Sequence, residues 1–93
     1  MANPVSPAVT LLAATHRLRQ LLADVLAMQP EEIDEDVPLT AYGMGSRNGM
    51  TLLADLEEWA EVRMDASILA DGASVLDLAR EVVRLDQEQR EDR

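Results

Sequence analysis

The sequence predicts an all-α protein, a small four-helix bundle made of three main helices, one short helix and a long first loop. Apolar residues recur at three- and four-residue steps in three separate stretches, which is the spacing of a buried helix face. No stretch alternates apolar and polar residues as a half-buried strand does. The 93 residues include no phenylalanine, so the core of this small domain is expected to consist of aliphatic side chains and methionine.

The first helix is expected to begin at Ser6 and Pro7 and to run to about Met28. Serine is favoured as an N-cap, and proline is favoured at the first helical position, where its missing N–H would have no helical acceptor. The apolar stripe of this helix consists of Leu11, Leu18, Leu21, Leu22, Val25 and Met28. One face of the helix is therefore expected to pack on the core.

A long loop is expected over residues 29–45, because Pro30 and Pro38 interrupt any helix there. Three apolar residues are spaced through it: Ile33, Val37 and Leu39. They predict that the loop is held on the core. Seventeen residues without regular structure are unusual in a compact domain unless they serve a function.

The second helix is expected to begin at Ser46 and to end near Glu61. Its buried face is expected to consist of Leu52, Leu53, Leu56, Trp59 and Ala60. One or two helical turns are expected over residues 65–70, and Gly72 is expected to end them.

The last helix is expected over about residues 74–89, and its buried face is expected to consist of Val75, Leu78, Ala79, Val82 and Leu85. Ser74 and Asp77 have the spacing of a capping box, with aspartate in place of the usual glutamate. Residues 87–93 are polar and charged throughout, so they are expected to fray.

The chain is expected to form a single domain over residues 1–93. Its ordered core is expected at about residues 7–86, with flexible ends at residues 1–5 and 87–93.

The charge of the chain is strongly negative. Eighteen acidic residues and eight basic residues give a formal net charge of −10, which disfavours nucleic acid and anionic membranes and favours basic protein partners. The absence of cysteine excludes disulfides, thiol catalysis and thiolate metal sites. The first ten residues lack the features of a signal peptide, and no apolar stretch has the length of a membrane span. The protein is expected to be soluble, cytoplasmic and monomeric.

The sequence offers little for catalysis or metal binding. It has one histidine, no cysteine and no glycine-rich phosphate loop between a strand and a helix. His16 is interpreted as a helix-edge residue. The acidic residues between Glu31 and Asp36 lack the spacing and the central glycine of an EF-hand loop, so a solvated, partner-facing loop is favoured over a calcium site. No catalytic residue and no metal site are expected.

Ser46 is the candidate functional residue. It follows Gly43 and Gly45 and opens the second helix, at the position expected for an N-cap. Two interpretations stay open: the serine only caps the helix, or its hydroxyl carries a phosphodiester-linked group, which a helix N-terminus favours. Arg47 favours the second, because a cation in the first turn opposes the helix dipole until a phosphate pairs with it.

Residues 31–78 resemble the acyl carrier protein family, and they are more similar to polyketide-type carriers than to those of fatty acid synthesis. The similarity includes the loop glycine Gly43, the serine Ser46 and the entry to the last helix. That entry matches at Ser74, Val75, Leu78 and Ala79. The resemblance implies a four-helix fold in which a transferase attaches 4'-phosphopantetheine from coenzyme A to Ser46. The thiol of this arm then holds acyl groups as thioesters.

The resemblance also implies a recognition surface on the second helix. Met44 and Met50 flank Ser46 closely enough to contact its load. The predicted partner-binding residues are Arg47, Met50, Thr51, Glu57, Glu58 and Met44. The chain departs from the family at Gly45, where aspartate is usual, at Arg47, where leucine is usual, and at Thr51, where an acidic residue is frequent. These departures imply unusual partners.

The expected function is that of a discrete carrier for acyl or aminoacyl intermediates of a polyketide-type biosynthetic pathway. The expected partners are a phosphopantetheinyl transferase and an acyltransferase, adenylating enzyme or ketosynthase. The alternative is an unmodified acidic helical module that docks a basic protein, with Ser46 serving only as a cap.

Overall fold

The computed structural model describes residues 8–91, apart from the side chains of Ser46, Ala70 and Asp71. It contains the three α-helices α1 (Leu11–Leu26), α2 (Ser46–Ala60) and α3 (Val75–Glu91). Three short 3₁₀ helices lie in the connections, at Pro30–Glu32, Leu39–Tyr42 and Ala66–Asp71. The all-α prediction is confirmed: residues 8–91 form no β-strand, and the short predicted helix is the third of these 3₁₀ helices.

The start of α1 differs from the prediction. Ser6 and Pro7 lie outside the described residues, and the helix begins at Leu11. Thr10 has an extended backbone, and its Oγ1 accepts the N–H of Ala13 at 3.1 Å. The cap is therefore a threonine four residues beyond the predicted serine.

The end of α1 is also earlier than the predicted Met28. Ala27 adopts the left-handed conformation, with φ 54°, which stops the helix after Leu26. The N–H groups of Ala27 and Met28 both donate to the carbonyl of Ala23. Alanine adopts the left-handed conformation less often than glycine does, so the sequence contained no clear signal for the end of α1.

The long first loop is held on the core, as predicted. Ile33 and Leu39 are buried. The N–H of Leu39 donates to the carbonyl of Ala73 at 2.9 Å, so the loop is also hydrogen-bonded to the segment before α3. Two of the three 3₁₀ helices lie in this loop, and the expectation of seventeen residues without regular structure is wrong to that extent.

The core lies where the inner faces of the three α-helices meet, and α1 packs against both α2 and α3. The largest fully buried side chains are Leu18, Leu22, Ile33, Leu52, Leu56, Leu78, Val75 and Val82. They come from the predicted stripes of all three helices and from the loop. The core is aliphatic, as the composition requires.

The predicted capping box opens α3. The N–H of Asp77 donates to Ser74 Oγ at 3.2 Å, and the N–H of Ser74 donates to Asp77 Oδ2 at 3.0 Å. Two N–H groups near the helix start are thereby satisfied by side chains.

Ser74→Ala is expected to lower the free energy of unfolding by about 1 kcal/mol, because the N–H of Asp77 loses its acceptor. Ser74→Thr is the control, since threonine retains a hydroxyl that can accept the N–H of Asp77. Urea denaturation measures both variants. Equal losses in the two would show that the hydroxyl is not the stabilising group.

The last helix runs to Glu91, two residues beyond its predicted end. Gln89 makes a reciprocal pair of 3.2 Å hydrogen bonds with the backbone N–H and carbonyl of Arg63, which joins α3 to the turn after α2. Asp86 is buried and accepts the N–H of Val9 at 2.9 Å. Fraying of residues 87–93 stays a prediction.

Candidate functional site

Ser46 is the first residue of α2, and the prediction that it occupies the N-cap position is wrong. Gly45 is the N-cap: its backbone is extended, with φ −85° and ψ 174°, and its carbonyl accepts the N–H of Gly49 at 3.0 Å. Glycine has no side chain to cap with, so no side-chain hydrogen bond closes this end of the helix. The first N–H groups of an α-helix lack intrahelical acceptors, and together with the dipole they favour an anion at this point.

The loop before Ser46 has a fixed shape. Gly43 ends the second 3₁₀ helix with a positive φ of 78°, a conformation that favours glycine. The hydroxyl oxygen of Tyr42 accepts the N–H of Asp34 at 2.7 Å, which ties the approach to α2 back to the earlier part of the loop. The turn at Gly43 and the hydrogen bond of Tyr42 therefore hold the backbone that leads into Ser46.

A groove of about 340 Å³ opens beside the start of α2. Its walls are the end of the loop, the first turns of α2, and the third 3₁₀ helix with the segment after it. The residues that line it are Leu39, Thr40, Met44, Gly45, Gly49, Met50, Ala66, Leu69 and Ala73. Ser46 precedes Gly49 by three positions and Met50 by four, so the three share one side of the helix.

Gly49 is a residue of the site that the sequence reasoning missed. It is buried in α2, and a Cβ built on it would lie 3.2 Å from Leu69 Cδ1 and 3.6 Å from Met44 Cε. The available signal was a glycine inside a predicted helix, which is about 1 kcal/mol less favourable than alanine and so suggests a packing or functional reason.

The third 3₁₀ helix, which forms one wall of the groove, is capped by Asp65. Its carboxylate accepts the N–H of Ser67 at 2.9 Å. The hydrogen bonds from Ser67, that from the backbone above all, hold the pKa of Asp65 below its usual range. The Asp65 carboxylate is therefore ionised at neutral pH and caps the third 3₁₀ helix in that form.

Arg47 is exposed in the first turn of α2 and makes no hydrogen bond or ion pair with the described residues 8–91. Residues 20–62 contain ten acidic residues and this one cation. A cation at this end of a helix is unfavourable by about 0.3–1 kcal/mol when it is exposed. The arginine next to Ser46 is thus an isolated positive charge with no partner inside the described fold.

The other predicted partner-binding residues fall into two groups. Met50, Thr51 and Glu58 are exposed on α2, and 52% of the surface of Met50 is accessible. Met44 is half-buried at the groove. Glu57 is half-buried too, and its Oε2 accepts the N–H of Met64 at 2.7 Å, so its carboxylate holds the turn after α2.

Within residues 8–91, no group of three or more histidine, cysteine or acidic side chains is arranged to hold a metal ion. No helix in that part of the chain has the length and apolarity to cross a membrane. His16 is exposed on α1.

The family model described as the phosphopantetheine attachment site matches residues 16–82, a range that includes the loop, all of α2 and the first half of α3. The chain belongs to this family of carrier proteins. The cofactor of the family is 4'-phosphopantetheine. The proteins of this family are carriers and not enzymes: they are modified by phosphopantetheinyl transferases and interact with biosynthetic enzymes.

Similar proteins agree with this assignment. The carrier is 30% identical over 71 residues to acyl carrier protein TtuC of Teredinibacter turnerae, a match that covers 76% of this chain and 82% of the relative. A free-standing peptidyl carrier protein from an uncharacterized secondary metabolic pathway of Acinetobacter baumannii superposes with a TM-score of 0.74 at 27% identity. That match covers 80% of this chain and 92% of the other.

The fold is also similar to that of the HMG-ACPI domain from the CurA module of Lyngbya majuscula. The TM-score is 0.76 at 24% identity, over 96% of this chain and 90% of that domain. This likeness supports the helical architecture alone.

Proposed function

We propose that Ser46 is the attachment residue and that the loaded carrier holds acyl or aminoacyl intermediates for partner enzymes of a polyketide-type biosynthetic pathway in the cytoplasm. The observation that carries the proposal is the place of Ser46 at the first position of α2, beside an open groove. When bound, the arm supplies a thiol that carries the cargo as a thioester. The protein itself positions the arm and presents it.

The residues around Ser46 fit a phosphodiester-linked arm. Apart from its two chain neighbours, no described residue has an atom within 4 Å of a Cβ built on Gly45, so there is space directly before the proposed attachment residue. The helix N-terminus favours the negative charge of a phosphodiester. Arg47 has no partner within the described residues and supplies a cation one residue away.

Attachment needs one nucleophile from the carrier. The Ser46 hydroxyl oxygen forms a bond to the phosphorus atom that bears the pantetheine. The pyrophosphate P–O bond of coenzyme A breaks, the nucleotide leaves, and the hydroxyl proton is lost to solvent. No residue of the carrier other than Ser46 changes its covalent structure.

The proposed partner surface is the exposed side of α2. It presents the cation of Arg47 near the attachment point, the apolar Met50 next to it, and the acidic Glu58 toward the other end. Thr51 lies between them, and Met44 borders the groove. Glu57 contributes less than Glu58, because its carboxylate already binds the Met64 N–H.

This surface is proposed to meet a phosphopantetheinyl transferase first, and then an acyltransferase, adenylating enzyme or ketosynthase of the pathway. Basic groups on such a partner complement the acidic end of α2. Near Arg47, the groups on the partner are instead expected to be neutral or acidic.

The test is incubation of the purified protein with a broad-specificity phosphopantetheinyl transferase and coenzyme A. Intact mass spectrometry is expected to show the addition of one arm to the wild type and none to Ser46→Ala. Ser67→Ala, which removes an exposed serine elsewhere in the fold, is the matched control and is expected to gain the arm. Addition to Ser46→Ala would refute the assignment. The absence of addition to the wild type with several transferases would favour the unmodified acidic module.

A further inference from the structure

A second groove, of about 520 Å³, lies between the C-terminal half of α1 and the first 3₁₀ helix, and it is called the α1 groove below. The helix contributes Arg17, Gln20 and Asp24 to it. These residues follow one another at steps of three and four positions, so they share one side of α1. No described residue lines both this groove and the groove beside Ser46, so the two are separate surfaces.

Arg17 brings an unpaired cation to the α1 groove. Its Nε is shielded from solvent and has no hydrogen-bond acceptor, and the guanidinium makes no hydrogen bond or ion pair with residues 8–91. The residues three and four positions away from it in the helix include no acid. Arg19, by contrast, pairs with the Glu35 carboxylate at 3.4 Å. A buried N–H without an acceptor is unfavourable, and a carboxylate is its strongest partner, so Arg17 lacks a group that the described fold does not supply.

Asp24 brings an unpaired carboxylate to the same groove. It is exposed in the last turn of α1, where the negative end of the helix dipole disfavours an acid. The residues three and four positions away include no base, and Asp24 makes no ion pair within the described part of the chain. Seven positions separate it from Arg17, or about 10 Å along the helix axis, so the two charges do not neutralise each other.

We propose that the α1 groove docks a helical segment of a partner protein that carries an acidic and a basic side chain seven positions apart. The acid pairs with Arg17 and the base pairs with Asp24. A partner helix has the same rise per residue as α1, so its two charges are also about 10 Å apart. Residues that far apart in a strand are about three positions apart and point to opposite faces, which excludes a strand as the partner element.

Gln20 supports this two-point match. It lies between Arg17 and Asp24 on the same side of α1, and its amide can both donate and accept a hydrogen bond. The middle of the groove therefore suits a polar, uncharged side chain of the partner. Docking here does not require the arm on Ser46, so the inference stands apart from the proposed function.

The test is an NMR titration of the isotope-labelled full chain with an alanine-based helical peptide of about 20 residues. The peptide carries one glutamate and one lysine seven positions apart, and its control has glutamine at both positions. The glutamate–lysine peptide is expected to shift the Nε–H signal of Arg17 and the side-chain amide signal of Gln20. The glutamine peptide is expected to bind about tenfold more weakly, because both ion pairs are missing.

Charge exchange tests the match from the side of the carrier. Arg17→Asp is expected to weaken binding of the glutamate–lysine peptide about tenfold, because the groove then holds two acids. Combining it with Asp24→Arg is expected to restore binding, since the peptide can lie in the opposite direction and the net charge of the chain returns to its original value. Arg80→Asp, which reverses an exposed arginine on α3, is the matched control and is expected to retain the wild-type affinity.

Circular dichroism shows whether each variant is folded. If Arg17→Asp is not, Arg17→Gln removes the cation without adding an acid and is expected to weaken binding of the glutamate–lysine peptide as well. Equal affinity of the wild type for the two peptides would overturn the proposal. So would an equal loss of affinity in Arg17→Asp and Arg80→Asp, because net charge alone would then account for binding.

Discussion

Leu78→Ala is expected to lower the free energy of unfolding by about 2–5 kcal/mol. Leu78 lies on α3 and is completely buried in the core that α3 forms with α1 and α2. Truncation removes its apolar contacts and leaves a cavity, because a close-packed interior relaxes only in part. A domain of this size is stable by about 5–15 kcal/mol, so the loss is a large part of the total.

Leu12→Ala is the matched control for Leu78→Ala. It makes the same chemical change in a helix, but Leu12 is 81% exposed and lies at the start of α1. Its expected effect is within about 0.5 kcal/mol. Urea denaturation of both variants, followed by circular dichroism, measures the difference. Similar losses at the two positions would contradict the buried stripe on which the bundle is built.

The core was predictable because its signal is periodic. Leu52 and Leu56 on α2, and Leu78 and Val82 on α3, repeat at four-residue steps, and every one of them is buried. Such a repeat is unchanged by a shift of one residue at a helix end, so the helices and their buried faces follow from the sequence even when their limits do not.

The helix limits were harder to predict because several residues have the same local chemistry. Ser6 and Thr10 are both capable N-caps, and the structure places the cap of α1 at Thr10. Gly45 and Ser46 are both permitted at the cap of α2, and the structure selects the glycine. One residue of difference moves Ser46 into the helix itself, so that Gly45 and not the proposed attachment residue occupies the N-cap position.

The candidate site was predictable in its centre and not in its surroundings. A serine after two glycines and before an apolar stripe is a local pattern, so Ser46 and Arg47 stand out in the sequence alone. The groove depends on the meeting of three separate segments, and no local pattern reports that Ala66 and Leu69 lie beside α2. The use of Glu57 in the turn after α2 is likewise a tertiary contact.

Asp86→Ala is expected to lower the free energy of unfolding by about 2–3 kcal/mol. Asp86 is only 4% exposed, and its carboxylate accepts the N–H of Val9 at 2.9 Å and the Nε–H of Arg90 at 3.0 Å. Its removal leaves the half-buried Val9 N–H without an acceptor, which is the costly outcome of losing one hydrogen-bond partner. Asp86→Asn retains an acceptor oxygen and is expected to lose about half as much.

Asp24→Ala is the matched control for Asp86→Ala, because Asp24 is an exposed aspartate within α1. Both substitutions gain the same helix propensity, so only the buried contacts differ. Amide hydrogen exchange adds a local readout: the exchange of Val9 is expected to accelerate in Asp86→Ala and not in Asp24→Ala. This separates a clamp between the start of α1 and the end of α3 from a general loss of stability, since a general loss would accelerate exchange throughout the core as well. Unchanged exchange at Val9 in Asp86→Ala would show that this clamp does not hold the two helix ends together.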